Sequence, residues 1–315
     1  MTVTVFIDGA AGTTGLEIAG RLESRPEFEL VRLDADQRKD ATARREALNE
    51  ADIAILCLPD DAAREAVALV DPNSGTRVID ASSAHRVADG WIYGFPELIG
   101  AAAIASAERV SNPGCYPTGF LALIAPLTKA SLLPTDWPYA VHAVSGYSGG
   151  GNALIERFES DPDIAYRAYA LSFDHKHLAE MQKHAGLIMP PLFLPAVVHA
   201  FRGMVVDVPL PRSLLRNGAT PDKLRKTLLR AYDGCELVRV HHGADQPSEL
   251  LLRNDAPEWD GIELWVFANH DETQARLVAR LDNLGKGASG AAVQNLNLMA
   301  GLPQMTGLHL NPVAS

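Results

Sequence analysis

The feature that most constrains this chain is the run Val3-Thr4-Val5-Phe6-Ile7-Asp8, followed by Gly9-Ala10-Ala11-Gly12-Thr13-Thr14-Gly15 and then Leu16-Glu17-Ile18-Ala19-Gly20-Arg21-Leu22. A β-branched and aromatic run, a turn with glycine at every third position and apolar residues at helical spacing read as strand, turn and helix, the first half of a βαβ unit. Glycine in such a turn lets the backbone approach a pyrophosphate, and the N-terminus of the next helix receives its charge. Thr13 and Thr14 add hydroxyl donors in the same turn. A tight turn with no ligand would use the same glycines.

The alternation continues. Residues 28–33 read as a strand, 41–49 as a helix and 52–59 as a buried-type strand. Asp60 or Asp61 can cap a helix running through Val70, and residues 77–80 form another short strand. Strands alternating with helices imply the α/β class, with a parallel, doubly wound sheet. After the second strand, Asp34 can accept from a ribose hydroxyl, which favours NAD, whereas Arg38 and Lys39 can hold a 2′-phosphate. The two adjacent cations favour NADP, and a solvated surface loop would look similar.

Beyond residue 115 the pattern changes. Residues 141–145 read as a strand entering a second glycine loop, 146–151. Longer β-rich runs follow at 196–209, 236–240 and 262–268, with an amphipathic helix at 221–232. This is the pattern of an α+β domain with an extended, partly antiparallel sheet. The chain closes on an alanine-rich helical stretch at 287–299. No repeat or low-complexity linker intervenes, so the two domains are expected to join directly, with the site in the cleft between them.

Composition limits the partners. With 28 basic against 39 acidic residues the formal net charge is −11, which argues against nucleic acid or an anionic membrane. No apolar run approaches the ~20 residues needed to span a bilayer. The N-terminus enters a strand directly, with no signal-peptide pattern. Cys57, Cys115 and Cys235 are sparse, odd in number and without metal-ligand spacing, as in a reducing cytosol. A soluble, cytoplasmic protein is expected.

Chemistry concentrates in Ser111-Asn112-Pro113-Gly114-Cys115-Tyr116-Pro117-Thr118-Gly119. A cysteine after a Pro-Gly turn, just before an apolar run, lies at or near a helix start, where the dipole favours thiolate over thiol. A thiolate nucleophile implies covalent catalysis, although a buried, inert cysteine is the usual fate of the residue type. Cys57 in an apolar strand and Cys235 after a helix end read as structural. A dinucleotide domain followed by such a cysteine suggests aldehyde-level redox chemistry, in which a proton carrier works near the sulfur. The densest histidine cluster is His175-Lys176-His177, with Glu180 three residues on. Within a helix the two imidazoles would diverge, so only one would face the cysteine unless the helix starts there. His85 follows a strand end. Arg86 and Arg202 are candidates for a substrate carboxylate or phosphate, or members of structural ion pairs.

The stretch 111–119 resembles the signature of the N-acetyl-gamma-glutamyl-phosphate reductases. Other landmarks fit in order: the glycine turn at 9–15, Ser145 to Gly151 resembling the family's Ser-Gly-x-Ser-Gly-x-Gly loop, the His-x-His pair at 175 and 177, and Asp282-Asn283-Leu284-Gly285-Lys286-Gly287-Ala288. The resemblance spans nearly the whole chain, and its length and the segment Ser82-Ser83-Ala84-His85-Arg86 are similar to the shorter, type 2 variant of the family. One departure is the segment Pro195-Ala196-Val197-Val198-His199-Ala200-Phe201-Arg202-Gly203, where the longer variant has Pro-His-Leu before its Arg-Gly pair. The histidine is displaced, and no role passes to His199.

The resemblance implies a Rossmann-type NADP-binding domain over 1–114, completed by a C-terminal helix within 287–315. It also implies a catalytic and dimerisation domain over 115–286, like that of glyceraldehyde-3-phosphate dehydrogenase, in a homodimer or homotetramer. The implied reaction, in arginine biosynthesis, reduces an acyl phosphate through a Cys115 thioester, with His177, or second His175, carrying the proton. Gly9, Gly12, Thr13, Thr14, Gly15, Arg38, Lys39, Asn283 and Lys286 would bind NADP. Arg86, Asn112, Ser145, Gly146, Ser148 and Arg202 would bind the substrate. Competing readings are aspartate-semialdehyde dehydrogenase, a reductase of the longer N-acetyl-aminoadipyl or a carrier-linked substrate, and a non-catalytic NADP-binding sensor.

Overall fold

A computed structural model describes residues 2–310, which divide into two compact units: the chain up to Gly114 with Ala288–Leu308, and Cys115–Gly287 with the residues from His309. In the first unit, six strands alternate with helices: β1 (Val3–Asp8), α1 (Thr13–Leu22), β2 (Phe28–Val31), α2 (Ala41–Glu50), β3 (Ile53–Leu56), α3 (Asp60–Leu69), β4 (Arg77–Asp80), β5 (Ile92–Tyr93), the short α4 (Pro96–Ile99) and α5 (Ala101–Ala105), and β6 (Arg109–Ser111). All pairings are parallel, in the order β2-β1-β3-β4-β6-β5. This is the doubly wound sheet expected from the alternation. The apolar runs of β1 and β3 are buried because helices cover both faces of such a sheet.

One capping expectation is revised. The residue preceding α3 is Pro59, with no side-chain cap; Asp60 and Asp61 fall in its first turn, and Asp60 accepts hydrogen bonds from Ser83 instead. Carboxylates there still complement the helix dipole. Asp40, by contrast, caps α2 by accepting from the Ala43 N–H.

The second unit contains α6 (Cys115–Lys129), β7 (Ala140–Gly146), α7 (Asn152–Ser160), β8 (Tyr166–Ala168), α8 (Leu178–His184), β9 (Leu192–Val198), β10 (Met204–Pro211), α9 (Pro221–Ala231), β11 (Val238–Val240), β12 (Ile262–Ala268) and β13 (Gln274–Leu281). Its strands form one mixed sheet, β11-β12-β13-β10-β7-β9-β8. The run at 196–209 is two strands, not one, because the chain breaks at His199–Gly203 to pass from the parallel β7·β9 pair to the antiparallel β10·β7 pair. α6 packs on the sheet so closely that a Cβ at Gly119 would come within 2.8 Å of Val206.

The chain then returns to the first unit. A π-helical turn over Gly285–Ser289 precedes α10 (Gly290–Met299), whose Val293 and Leu296 share a core with Val5, Ile7 and Ile18. Among the described residues of the helix expected at 287–315, only the π-helical turn and α10 are helical. His309 pairs with Asp260 of the second unit in both directions, N–H to carboxylate at 2.8 Å and carbonyl to N–H at 2.9 Å. Residues 311–315 lie outside the described residues. Among the described residues no helix is long and apolar enough to cross a membrane.

Candidate active site

Cys115 is the first residue of α6, as its sequence context suggests. The backbone leading into it is fixed by Asn112 within the first unit. Its N–H donates to the Asp80 carbonyl at 2.7 Å and its amide to Ala288 at 2.9 Å. Its side-chain oxygen accepts from Asn295 at 3.0 Å, and its carbonyl accepts from Arg86 Nε at 2.9 Å. Arg86 is thus buried and engaged with backbone carbonyls, Ala81 being a second. Behind the sulfur, a Cβ at Gly287 would come within 2.8 Å of the Cys115 Cβ, so the π-helical turn passes directly against the nucleophile candidate.

Within the second unit a cavity of about 480 Å³ opens at Cys115. Tyr116, Ser145, Gly146, Tyr169, His175 and His177 line it. The two imidazole rings are 4.7 Å apart, and Tyr116 lies 6.5 Å from His175 and 6.1 Å from His177. Both histidines reach one cavity because the helix begins only at Leu178; His177 is its capping residue, and the divergence of a helical i,i+2 pair does not apply.

The imidazoles differ in what holds them. Nδ1 of His177 is 3.2 Å from Oε2 of Glu180, whose side chain is 1% exposed. A carboxylate there can only accept, so Nδ1 carries the hydrogen and Nε2 is left as the basic atom. Nδ1 of His175 accepts the His177 N–H at 3.1 Å, so its neutral ring carries hydrogen on Nε2. One imidazole is arranged as a base and its neighbour as a donor.

The tyrosines form a neutral wall. Tyr116 donates its hydroxyl hydrogen to the Ala196 carbonyl at 2.9 Å. Burial pushes its phenol well above the ordinary value, with Tyr169 and Cys115 nearby adding to the effect. Burial likewise pushes Tyr169 up to about 12. Neither phenol ionises at neutral pH. Three cations, Arg157, Arg167 and Lys176, complete the wall, and no carboxylate lines it. Sequence reasoning missed Tyr116, Tyr169, Arg157 and Arg167; only the placement of Tyr116 beside the cysteine hinted at any of them.

Other candidates lie elsewhere. Asn283 donates to Ser148 Oγ at 3.0 Å and accepts the Gly203 N–H at 2.9 Å, tying the glycine loop to the β9–β10 connection. Lys286 is 1% exposed in the π-helical turn. Arg202 pairs with Asp282 at 2.9 Å and Glu258 at 3.7 Å, and lines a second cavity of about 630 Å³. His199 packs on Tyr147 and Phe158.

In the first unit, Gly9 has φ +88°, and a Cβ there would collide with the Cys57 carbonyl. A Cβ at Gly15 would meet the backbone of Gly9 and Ala10. These two glycines answer to the chain's own packing. Gly12 does not: its backbone is extended and a Cβ would make only an ordinary 3.5 Å contact. Thr13 and Thr14 open α1. Arg38 and Lys39 form an exposed helical turn, Arg38 Nε donating to the Leu33 carbonyl at 3.2 Å.

Residues 4–107 match the model of the semialdehyde dehydrogenase NAD binding domain, and residues 115–283 that of the semialdehyde dehydrogenase dimerisation domain. An N-acetyl-gamma-glutamyl-phosphate reductase of Trichormus variabilis is 50% identical, covering 96% of this chain and 98% of its own. N-acetyl-gamma-glutamyl-phosphate reductase 2 of Pseudomonas putida is 49% identical, covering 97% and 99%. Among solved structures, a probable aspartate-semialdehyde dehydrogenase from Pseudomonas aeruginosa superposes with a TM-score of 0.69 at 20% identity over 95% of this chain and 98% of its own. That likeness speaks to the fold alone.

Proposed function

Since the chain belongs to the N-acetyl-gamma-glutamyl-phosphate reductase family, we propose that it reduces N-acetyl-gamma-glutamyl phosphate to N-acetylglutamate 5-semialdehyde and phosphate, using NADPH, in cytoplasmic arginine biosynthesis. The observation that carries this reading is Cys115 at the start of α6, in one cavity with a histidine held by a buried carboxylate. A homo-oligomer, dimer or tetramer, is the proposed working form, in keeping with the dimerisation-domain match.

The first unit fits a nicotinamide dinucleotide. Nothing in the chain itself demands glycine at position 12, and its lack of a side chain leaves room for a ligand to pass over the start of α1. Gly9, Gly12 and Gly15 with Thr13 and Thr14 would hold the pyrophosphate. Arg38 and Lys39, both exposed, would take a 2′-phosphate, which favours NADP over NAD. Bound there, the reduced dinucleotide supplies the hydride. Asn283 and Lys286 would serve it through the loop that backs Cys115.

The remaining steps belong to side chains. The Cys115 thiol gives its proton to the basic Nε2 of the histidine as the sulfur attacks the acyl carbonyl, and phosphate leaves, giving a thioester. Backbone N–H groups at the start of α6 stabilise the oxyanion. As the carbon is reduced, a histidine gives its oxygen a proton, then takes it back as the carbon–sulfur bond breaks and the aldehyde departs. His177 has this role, with Glu180 orienting its ring and His175 as the neighbouring donor. Ser145 and Gly146 contact the phosphate end of the substrate, while Asn112, Ser148, Arg86 and Arg202 act by holding the surrounding backbone.

The reaction is tested in reverse, as phosphate-dependent oxidation of N-acetylglutamate semialdehyde followed at the NADPH absorbance, with Cys115→Ala in parallel. Activity requiring phosphate, NADP and Cys115 is expected. Wild-type protein that binds NADPH but lacks this activity would overturn the assignment.

A further inference from the structure

Resting on that reading, we infer that Arg167 is the residue that recognises the α-carboxylate of the substrate, and so makes the enzyme specific for an acidic acyl chain. Three observations converge on it. First, the Cys115 cavity is cationic within a chain of net charge −11: Arg157, Arg167 and Lys176 line it and no carboxylate does. Among the described residues no acidic side chain is paired with any of these three. A cation set aside from ion pairing beside a reactive centre is suited to an anionic ligand.

Second, the sheet places Arg167 in register with the reactive end. Ser145 of β7 lies opposite Val197 of β9, and Val197 lies opposite Arg167 of β8. All three line the cavity. Two strand spacings put the Arg167 backbone ~10 Å from that of Ser145. A glutamyl chain is shorter than this span, and the long arginine side chain closes the difference. Third, Arg167 is the half-buried member of the trio, whereas Arg157 and Lys176 are exposed. Its guanidinium stacks on the Tyr169 ring at 4.6 Å, and that ring packs at 5.5 Å from His175. Stacking fixes the plane of the guanidinium, which suits bidentate capture of a carboxylate. Tyr169 stays a neutral phenol, so it leaves the positive charge uncompensated.

The arginines expected from sequence to hold the substrate's anionic groups are committed elsewhere. Arg86 donates to backbone carbonyls in the first unit, and Arg202 pairs with Asp282 and Glu258.

The test compares two aldehydes that differ only in the carboxylate: N-acetylglutamate semialdehyde and 4-acetamidobutanal. In the wild type the first is strongly preferred. In Arg167→Met, kcat/KM for the first falls about 30- to 100-fold, chiefly through KM, as expected for loss of a charged hydrogen-bonded partner. Activity on 4-acetamidobutanal changes less than about threefold, which also reports that the variant is folded. Arg167→Lys recovers part of the preference, and the KM for phosphate is unchanged in both. Equal losses on the two aldehydes, a raised KM for phosphate, or an undiminished preference would each overturn the assignment. A wild type inactive on the acetylated semialdehyde would overturn the proposed function itself; an active wild type with an unimpaired Arg167→Met overturns only this inference.

Discussion

Cys57 and Cys115 each sit at the end of a regular element, one just past β3 and the other opening α6, yet their surroundings are opposite. Cys57 lies beneath the glycine turn, its N–H donating to the Asp8 carbonyl and its own carbonyl blocking any side chain at Gly9. Burial pushes its thiol up to about 12, and the Asp80 and Asp8 carboxylates push in the same direction. Cys115 opens onto imidazoles, phenols and cations, with no carboxylate in the cavity wall. Residue type alone does not make a nucleophile: the carboxylates beside Cys57 oppose a second negative charge, whereas the helix start and cationic wall at Cys115 favour one.

The comparison breaks most directly by exchange of sulfur for oxygen. Cys115→Ser is expected to lower kcat by at least about a thousandfold, whereas Cys57→Ser stays within about threefold of wild type, both read in the phosphate-dependent assay. Equal losses would mean that Cys115 has no special chemistry.

Next in size is the imidazole arrangement. His177→Asn is expected to lower kcat by about a hundredfold or more, and Glu180→Gln by about tenfold, because the amide can present either an oxygen or an N–H to Nδ1 and no longer dictates the tautomer. If His175→Asn proves more damaging than His177→Asn, the two roles are exchanged.

Alkylation sharpens the contrast directly. With iodoacetamide at pH 7, peptide mapping is expected to show Cys115 modified at least about ten times faster than Cys57. Because burial pushes the Cys57 thiol up to about 12, its labelling should stay slow at neutral pH and keep rising as the pH is raised. Prompt labelling of Cys57 at neutral pH would contradict its assignment as inert.

The smallest effects concern the turn above Cys57. Gly9→Ala forces a side chain into positive φ and against the Cys57 carbonyl, and is expected to cost about 2 kcal/mol or more of stability in a denaturant melt. Gly12→Ala should melt like wild type but bind NADPH more weakly. Unchanged NADPH affinity would remove the argument that position 12 is shaped for a ligand.

Much of this was legible locally. Strands β1, β4 and β12 run where the β-branched and aromatic residues place them, and α6 opens on the cysteine that follows Pro-Gly. The helix over 221–232 was legible from its amphipathic spacing; the structure adds Thr220, which caps it by accepting from the Lys223 N–H. In contrast, β8 is three residues long and β13 was not distinguished from the loops around it, since short edge strands and charged strands carry little pattern. The starting point of α8 mattered more than its existence, because a start at Leu178 lets His175 and His177 face one cavity.

The sequence by itself determined the class of each half, the dinucleotide turn, the position of the nucleophile candidate and, through resemblance, the family. These depend on signals confined to a few neighbouring residues: spacing, capping, and the backbone freedom of glycine. The tertiary structure alone decided which arginines reach the cavity and which are bound elsewhere. Those outcomes depend on strand order and register, which set Ser145, Val197 and Arg167 side by side from three separated segments and leave Arg86 and Arg202 bound elsewhere. No local pattern encodes such a row, because the pairing that creates it is made between residues far apart in the chain.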